Sequence, residues 1–303
     1  MSARTAFCAL ALACLGATQP AEFDDPDPSQ AAWAERCEAW DDWDKPGPAF
    51  RIYGNSWYVG TCGISAILIA GSDGHVLIDG GTAKGADLIA ANIAAAGFDI
   101  RDVKVILFSH EHDDHVGGLA KLQELSGAVV LSSKGARTTM ETGGPSSDDP
   151  QRAIANRFDP VRVAGIAEDN MAVQVGDLSI IGWETPGHTP GAMSWQWQAR
   201  SAHGNPAMTI NYIDSLSPIS ADEYRFSDNP TYVAQFRAGL ERMKSIGCGI
   251  LVTPHPSASA MEVRIAQGGL VEDRTACFEY VDAAGKRLDA RLAKEADSGE
   301  AGE

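Results

Sequence analysis

Basic residues are scarce in this chain of 303 residues: 24 Lys and Arg stand against 41 Asp and Glu, for a formal net charge of −17. That balance excludes non-specific binding to nucleic acid and attachment to anionic membrane surfaces. Long apolar runs are missing as well. No stretch of 18 or more apolar residues occurs, so no membrane-spanning helix of ordinary length is expected. Several familiar catalytic signatures are also absent: there is no Ser-x-x-Lys, no Gly-x-Ser-x-Gly elbow, no Gly-x-Gly-x-x-Gly and no Walker loop. No serine nucleophile of those types and no nucleotide cradle are expected. What remains is an ordinary globular composition, 44% hydrophobic with 31 Gly and 15 Pro, long enough for one large domain or two small ones.

The first 17 residues, MSARTAFCALALACLGA, combine Arg4, an apolar stretch from Ala6 to Leu15 and small residues at Gly16 and Ala17. This reads as a secretory signal peptide, which implies export to the periplasm. Its removal takes away Arg4, Cys8 and Cys14, leaving 23 basic against 41 acidic side chains, net −18. Four cysteines remain, Cys37, Cys62, Cys248 and Cys277, an even number in an oxidising compartment. Two disulfides are expected, with three connectivities open, and chain proximity favours Cys37–Cys62 and Cys248–Cys277.

Residues 18–47 read as an acidic, Trp-containing arm packed on the body, 48–290 as the main domain, and 291–303 as a solvated acidic tail. Short β-prone runs begin at Phe50-Arg-Ile-Tyr, Trp57-Tyr-Val, Ser65-Ala-Ile-Leu-Ile-Ala and His75-Val-Leu-Ile-Asp79, separated by Gly and Asn as in antiparallel hairpins. Helices are expected at 86–96 and 118–125, a buried strand at Val103–Phe108 and another at Val129–Leu131. Residues 135–160 have little periodicity and read as a loop, or a loop with a short helix, and as a candidate rim of a binding cleft. The rhythm then repeats: a hairpin around Gly176-Asp177, strands at 193–197 and 208–213, a helix opening at Asn229-Pro230, a strand at 249–253 and a last helix. Such repetition without a linker predicts one α/β domain of two similar halves, two sheets face to face with helices outside.

Three of the seven histidines fall in Ser109-His110-Glu111-His112-Asp113-Asp114-His115, immediately after the buried strand. His110 and His112, two apart, point to one side of an extended segment and reach one ion. Asp114 and His115 then point elsewhere, toward a second. His188 in Thr185-Pro-Gly-His and His255 in Val252-Thr-Pro-His-Pro256 each follow a strand in a Pro-restricted loop. Three protein ligands with an open position is the pattern of a catalytic zinc. The expected sets are His110, His112 and His188 on one ion, and Asp114, His115 and His255 on the other. His75 and His203, isolated, read as structural. Trp195 and Trp197 read as core, and Thr189 and Asn211 as weak candidates for the cleft.

Together with Asp79-Gly-Gly81, Pro186-Gly-His188 and His255, the His110-x-His-x-Asp-His115 motif resembles the metallo-β-lactamase superfamily over about residues 48–280. Finer stretches, Phe50–Asn55, Tyr58–Thr61, Gly187–Trp195, Asp214-Ser-Leu-Ser217, Tyr224–Phe226 and Thr253–Pro256, are similar to its subclass B3. The other two subclasses carry a cysteine near position 215, where this chain has Ser215. The resemblance implies an αββα sandwich, two Zn²⁺ ions per chain and hydrolysis of the β-lactam amide in penicillins, cephalosporins and carbapenems by a metal-activated water, which confers antibiotic resistance. It also matches the Cys248–Cys277 pairing. Asp114 would bind the second ion and orient the nucleophile, and Ser215 and Ser217 would hold the substrate carboxylate. The chain is expected to act as a monomer.

Two rivals remain at this level. A lactonase or glyoxalase II-like thioester hydrolase of the same superfamily uses an aspartate that bridges both metals, and Asp214 lies one residue from Ser215, so a one-residue change of register decides which faces the site. A non-catalytic periplasmic metal-binding protein would take up metal without turnover, which suits open ligand positions less well.

Overall fold

The computed structural model describes residues 27–201 and 204–300. The signal segment 1–17 and His203 lie outside them. After a first helix, α1 (Pro28–Arg36), the first half lays down β1 (Phe50–Tyr53), β2 (Ser56–Tyr58), β3 (Ile67–Ile69), β4 (His75–Ile78), α2 (Gly85–Ala95), β5 (Val103–Leu107), α3 (Asp113–Val116), α4 (Leu119–Ser126), β6 (Val129–Ser132), α5 (Arg137–Thr142) and β7 (Val163–Ile166). The second half adds β8 (Met171–Val175), β9 (Leu178–Glu184), β10 (Met193–Ala199), β11 (Met208–Tyr212), α6 (Pro230–Ser245), β12 (Ile250–Val252), α7 (Met261–Ala266) and α8 (Ala276–Glu300). β1 to β7 form one sheet in chain order; the other runs β12-β11-β10-β9-β8.

Alternation along the strands explains why the layers stack. Ile67 and Ile69 of β3, Val76 and Ile78 of β4, and Val105 and Leu107 of β5 face inward to a core shared with Ile180, Trp195, Trp197, Ile210 and Val252 of the second sheet. The intervening Leu68, Leu77 and Ile106 face outward and are covered by Ile89, Ile93, Leu119 and Leu122 of α2 and α4. On the far side, Phe236, Leu240 and Met243 of α6 and Val281, Ala284 and Leu288 of α8 cover Leu251 and Ile213. Three apolar seams separate four layers, an α/β sandwich with helices on both outer faces, as the resemblance implies.

From β4 onward the first sheet is parallel, so each strand returns through a helical crossover and the loops after β4, β5 and β6 gather at one edge. In the second sheet the β8–β9 hairpin turns at Gly176, whose φ of +54° is readily available only to glycine.

The arm contributes more than a lid: Trp33 of α1 is fully buried against Phe50 and Tyr58. Both disulfides join the pairs that chain proximity favours, Cys37–Cys62 and Cys248–Cys277. At the other end the expected solvated tail from 291 is instead continuous helix through Glu300. Arg291 and a buried Glu295 tie it to the body. Among the described residues no helix is long and apolar enough to cross a membrane.

Candidate active site

The site is assembled at the edge where β4, β5 and the second-sheet strands end. Asp79, just past β4, is fully buried with a left-handed φ of +65°, a strained position for a residue with a Cβ. Its carboxylate explains the strain: it accepts from the Ser109 amide at 2.6 Å, the Ser109 hydroxyl at 2.7 Å and the Tyr212 hydroxyl at 2.6 Å. One of its oxygens also lies 3.4 Å from His115 Nδ1. The residue thereby fixes both the start of the histidine segment and its last ring.

The structure brings the sequence-expected ligands together. One donor atom from each of His110, His112 and His188 lies within 4.8 Å of the other two. Asp114 Oδ2 is 3.1 Å from His115 Nε2 and 3.3 Å from His255 Nε2. The two trios adjoin, with 4.1 Å between the His110 and His115 ring centroids, and His110, Asp114 and His115 also meet the spacing for a shared ion. The far nitrogens are held from behind. His110 Nδ1 is 2.8 Å from Asp214 Oδ1, His112 Nε2 is 3.1 Å from Asp149 Oδ2, and His188 Nδ1 is 3.0 Å from Ser217 Oγ. Histidines that ligate metals are normally oriented this way.

The residues fit a pair of cations on their own chemistry. His110 Nε2 is buried without a hydrogen-bond partner, and an orphaned buried polar group is costly unless something binds it. Burial, followed by the neighbouring imidazoles, holds the basicity of His110 well below the ordinary value and that of His188 down to about 3, so their lone pairs are available to a metal. Burial also opposes charge on Asp114 and His115. The mutual attraction of these two outweighs it, holding the carboxyl well below its usual range and the imidazole up to about 10. Five imidazoles and one carboxylate suit a transition metal rather than calcium or magnesium.

Asp214 does not project between the trios. Its Oδ1 backs His110, and burial pushes its carboxyl well above the usual carboxylate range. Ser215 lines a cleft of about 430 Å³ beside His188 and His255, and its buried hydroxyl has no partner. Ser217 lines the same cleft, and its hydroxyl also lies 3.0 Å from His188 Nδ1. The weaker candidates have structural duties. Thr189 donates to Glu111 at 2.6 Å, and Asn211 holds the backbone of Gly247 and Gly249. Trp195 and Trp197 are core, with ring N–H groups donating to Phe108 O and Ser56 Oγ. His75 is buried and accepts from the Gly71 amide, as a structural histidine does.

Four positions carry roles that the sequence alone does not single out. Asp149 and Gln151, from the aperiodic 135–160 loop, reach His112 and His188. Glu111, inside the histidine segment, accepts from Thr189 Oγ1 and from the Gly191 amide at 2.9 Å, so one buried carboxylate joins the two ligand loops. Trp40 of the arm walls the cleft and lies 6.3 Å from the His255 ring. The acidic pair Asp148-Asp149 beside Pro150 is the one available signal for Asp149, and it looks like any surface turn.

The profile of the metallo-beta-lactamase superfamily matches residues 59–202. The solved structure of the MIM-2 metallo-beta-lactamase is 47% identical and superposes with a TM-score of 0.85 over 89% of this chain and 99% of that one. MEM-A1, a subclass B3 metallo-beta-lactamase from a soil metagenome library, is 38% identical, with a TM-score of 0.80 over 85% of this chain and all of that one. A hydroxyacylglutathione hydrolase of Anaeromyxobacter dehalogenans (strain 2CP-C) is 34% identical over 156 residues, 51% of this chain and 48% of that protein. The match thus spans about half the length of this curated relative. With its four layers, its histidine segment and near-complete coverage by such structures, the chain belongs to the metallo-β-lactamase superfamily, on its subclass B3 branch.

Proposed function

We propose that the chain hydrolyses the β-lactam amide bond of penicillins, cephalosporins and carbapenems, with two zinc ions held by His110, His112 and His188 and by Asp114, His115 and His255. The observation that carries this reading is the meeting of five imidazoles and one carboxylate at the end of a cleft that Ser215 also lines, with its buried hydroxyl unpartnered. When bound, such a pair of ions supplies a water of lowered pKa and a Lewis acid for the carbonyl oxygen.

The chain supplies position and polarity. Asp214, Asp149 and Ser217 orient three imidazoles from behind, and Asp79 orients His115. Asp114, with Oδ2 turned to His115 and His255, keeps Oδ1 to accept a hydrogen bond from the attacking water. Ser215 donates to the substrate carboxylate. Trp40 and Ile219 supply apolar surface to the cleft walls beside His188 and His255. Two disulfides agree with an oxidising compartment and support a periplasmic, secreted enzyme; action as a monomer and antibiotic resistance complete the proposal.

A second reading, glutathione thioester hydrolysis, is favoured by the curated relative and opposed by Asp214, whose bonded oxygen serves His110 and leaves Ser215 facing the cleft. The test is the absorbance of a carbapenem and of a chromogenic cephalosporin with zinc-loaded protein, with and without chelator, beside a glutathione thioester. Chelator-sensitive ring opening with little thioester cleavage is the expected result. Thioester cleavage without ring opening overturns the reading.

A further inference from the structure

The neutral hydroxyls of Ser215 and Ser217 are weak holders for a carboxylate in so acidic a protein, and Ser217 also meets His188. Yet among the described residues no Asp or Glu lines the cleft, and the only charged side chain there apart from histidines is Arg287 of α8. Arg287 makes no hydrogen bond or ion pair among the described residues. Its neighbours on the same helix are all committed: Lys286 to Asp282 at 2.8 Å, Asp289 to Arg237 at 2.6 Å, and Arg291 to Glu295 at 2.5 Å.

Position along α8 places this exposed cation over the serine segment. Tyr280, seven residues earlier and so on the same helical face, donates to the Asp214 carbonyl at 3.0 Å. Arg291, one turn later, donates to Ser220 Oγ at 2.8 Å and reaches the Pro218 carbonyl. Arg287 lies between these two anchors along the helix and lines the same cleft as Ser215 and Ser217. A guanidinium pairs with carboxylates in a planar, two-pronged geometry that a lone hydroxyl cannot offer.

We propose that Arg287 is a specificity-determining residue that clamps the anionic group of the substrate together with Ser215; this rests on the β-lactam reading above. The test uses the zinc-loaded protein with a cephalosporin carboxylate and the methyl ester of the same compound. Arg287→Ala raises KM for the acid about tenfold and leaves KM for the ester within about twofold, as expected for loss of one charge-assisted contact. Arg287→Lys recovers part of the loss, and the salt dependence of KM seen for the acid disappears in Arg287→Ala. Equal effects on acid and ester, or no effect on either, overturn the proposal.

If the wild type opens neither compound, the β-lactam reading fails and the clamp is read by binding instead. Calorimetry then compares 3-mercaptopropionate with its amide. Tighter binding of the acid, lost in Arg287→Ala, supports the clamp, and equal Kd values in the wild type overturn it.

Discussion

Asp214 and Ser215 are consecutive in sequence but serve opposite sides of the same wall, one backing His110 and the other opening onto the cleft. The alternation of an extended segment makes that division unavoidable, while the sequence alone leaves open which of the two faces inward. Asp214→Ala removes the oxygen that lies 2.8 Å from His110 Nδ1 and holds the ring. Metal affinity of the first trio should fall by about tenfold, measured by competition with a chromogenic chelator. The six proposed ligands were legible because four lie within one short motif and the other two sit in Pro-flanked loops. Their supports were not, since Asp149 and Glu111 act on partners 37 and 78 to 80 residues away. Glu111→Ala leaves Thr189 and the Gly191 amide without their acceptor. It should cost about 2 kcal/mol in urea unfolding and loosen His188, with a rise in the zinc dissociation constant.

At the scale of elements, strands rich in Ile, Val and Leu between Gly and Asn were readable, and so was α6 from its Pro230 start. Missed were β7, whose Val-Ala-Gly-Ile run has little β preference, and the short α3 and α7, which are set by tertiary contacts rather than by periodicity. The end of α8 was missed because Glu295 looks like one more surface acid. In the fold it accepts from the Phe226 and Ser227 amides and from Arg291. Burial alone would raise its carboxyl, but these donors prevail and hold it below the ordinary value. A carboxyl lowered on folding adds stability that is present above its unfolded pKa of about 4.3 and is lost as pH falls through the folded value. Glu295→Gln should therefore cost about 1–2 kcal/mol at pH 7, with the gap to wild type closing toward pH 3 in urea titrations.

Across the whole molecule, the Cys248–Cys277 bridge fastens the segment before β12 to the first turn of α8, the helix that carries Tyr280 and Arg287. Replacing both cysteines with serine should lower stability by about 2–4 kcal/mol in reversible denaturation. Activity should fall with it, because α8 forms one wall of the cleft. The donors of each trio come from both sheets, so any ion that binds the folded state alone contributes to the stability of the entire sandwich. Stripping metal should cost about 4 kcal/mol when the free ion had stood a thousandfold above its Kd. Differential scanning calorimetry with and without chelator would show this as a lowered Tm, and an unchanged Tm would argue that the trios hold nothing.

The sixth proposed donor, His255, is the last in the chain, and the cleft wall follows later still on α8. A chain cut before residue 255 would keep the complete first sheet and the first trio but lose the last donor of the second trio together with the wall that carries Arg287. Such a truncation should bind one ion more tightly than a second and show no turnover, so the C-terminal sixth of the sequence separates holding metal from using it.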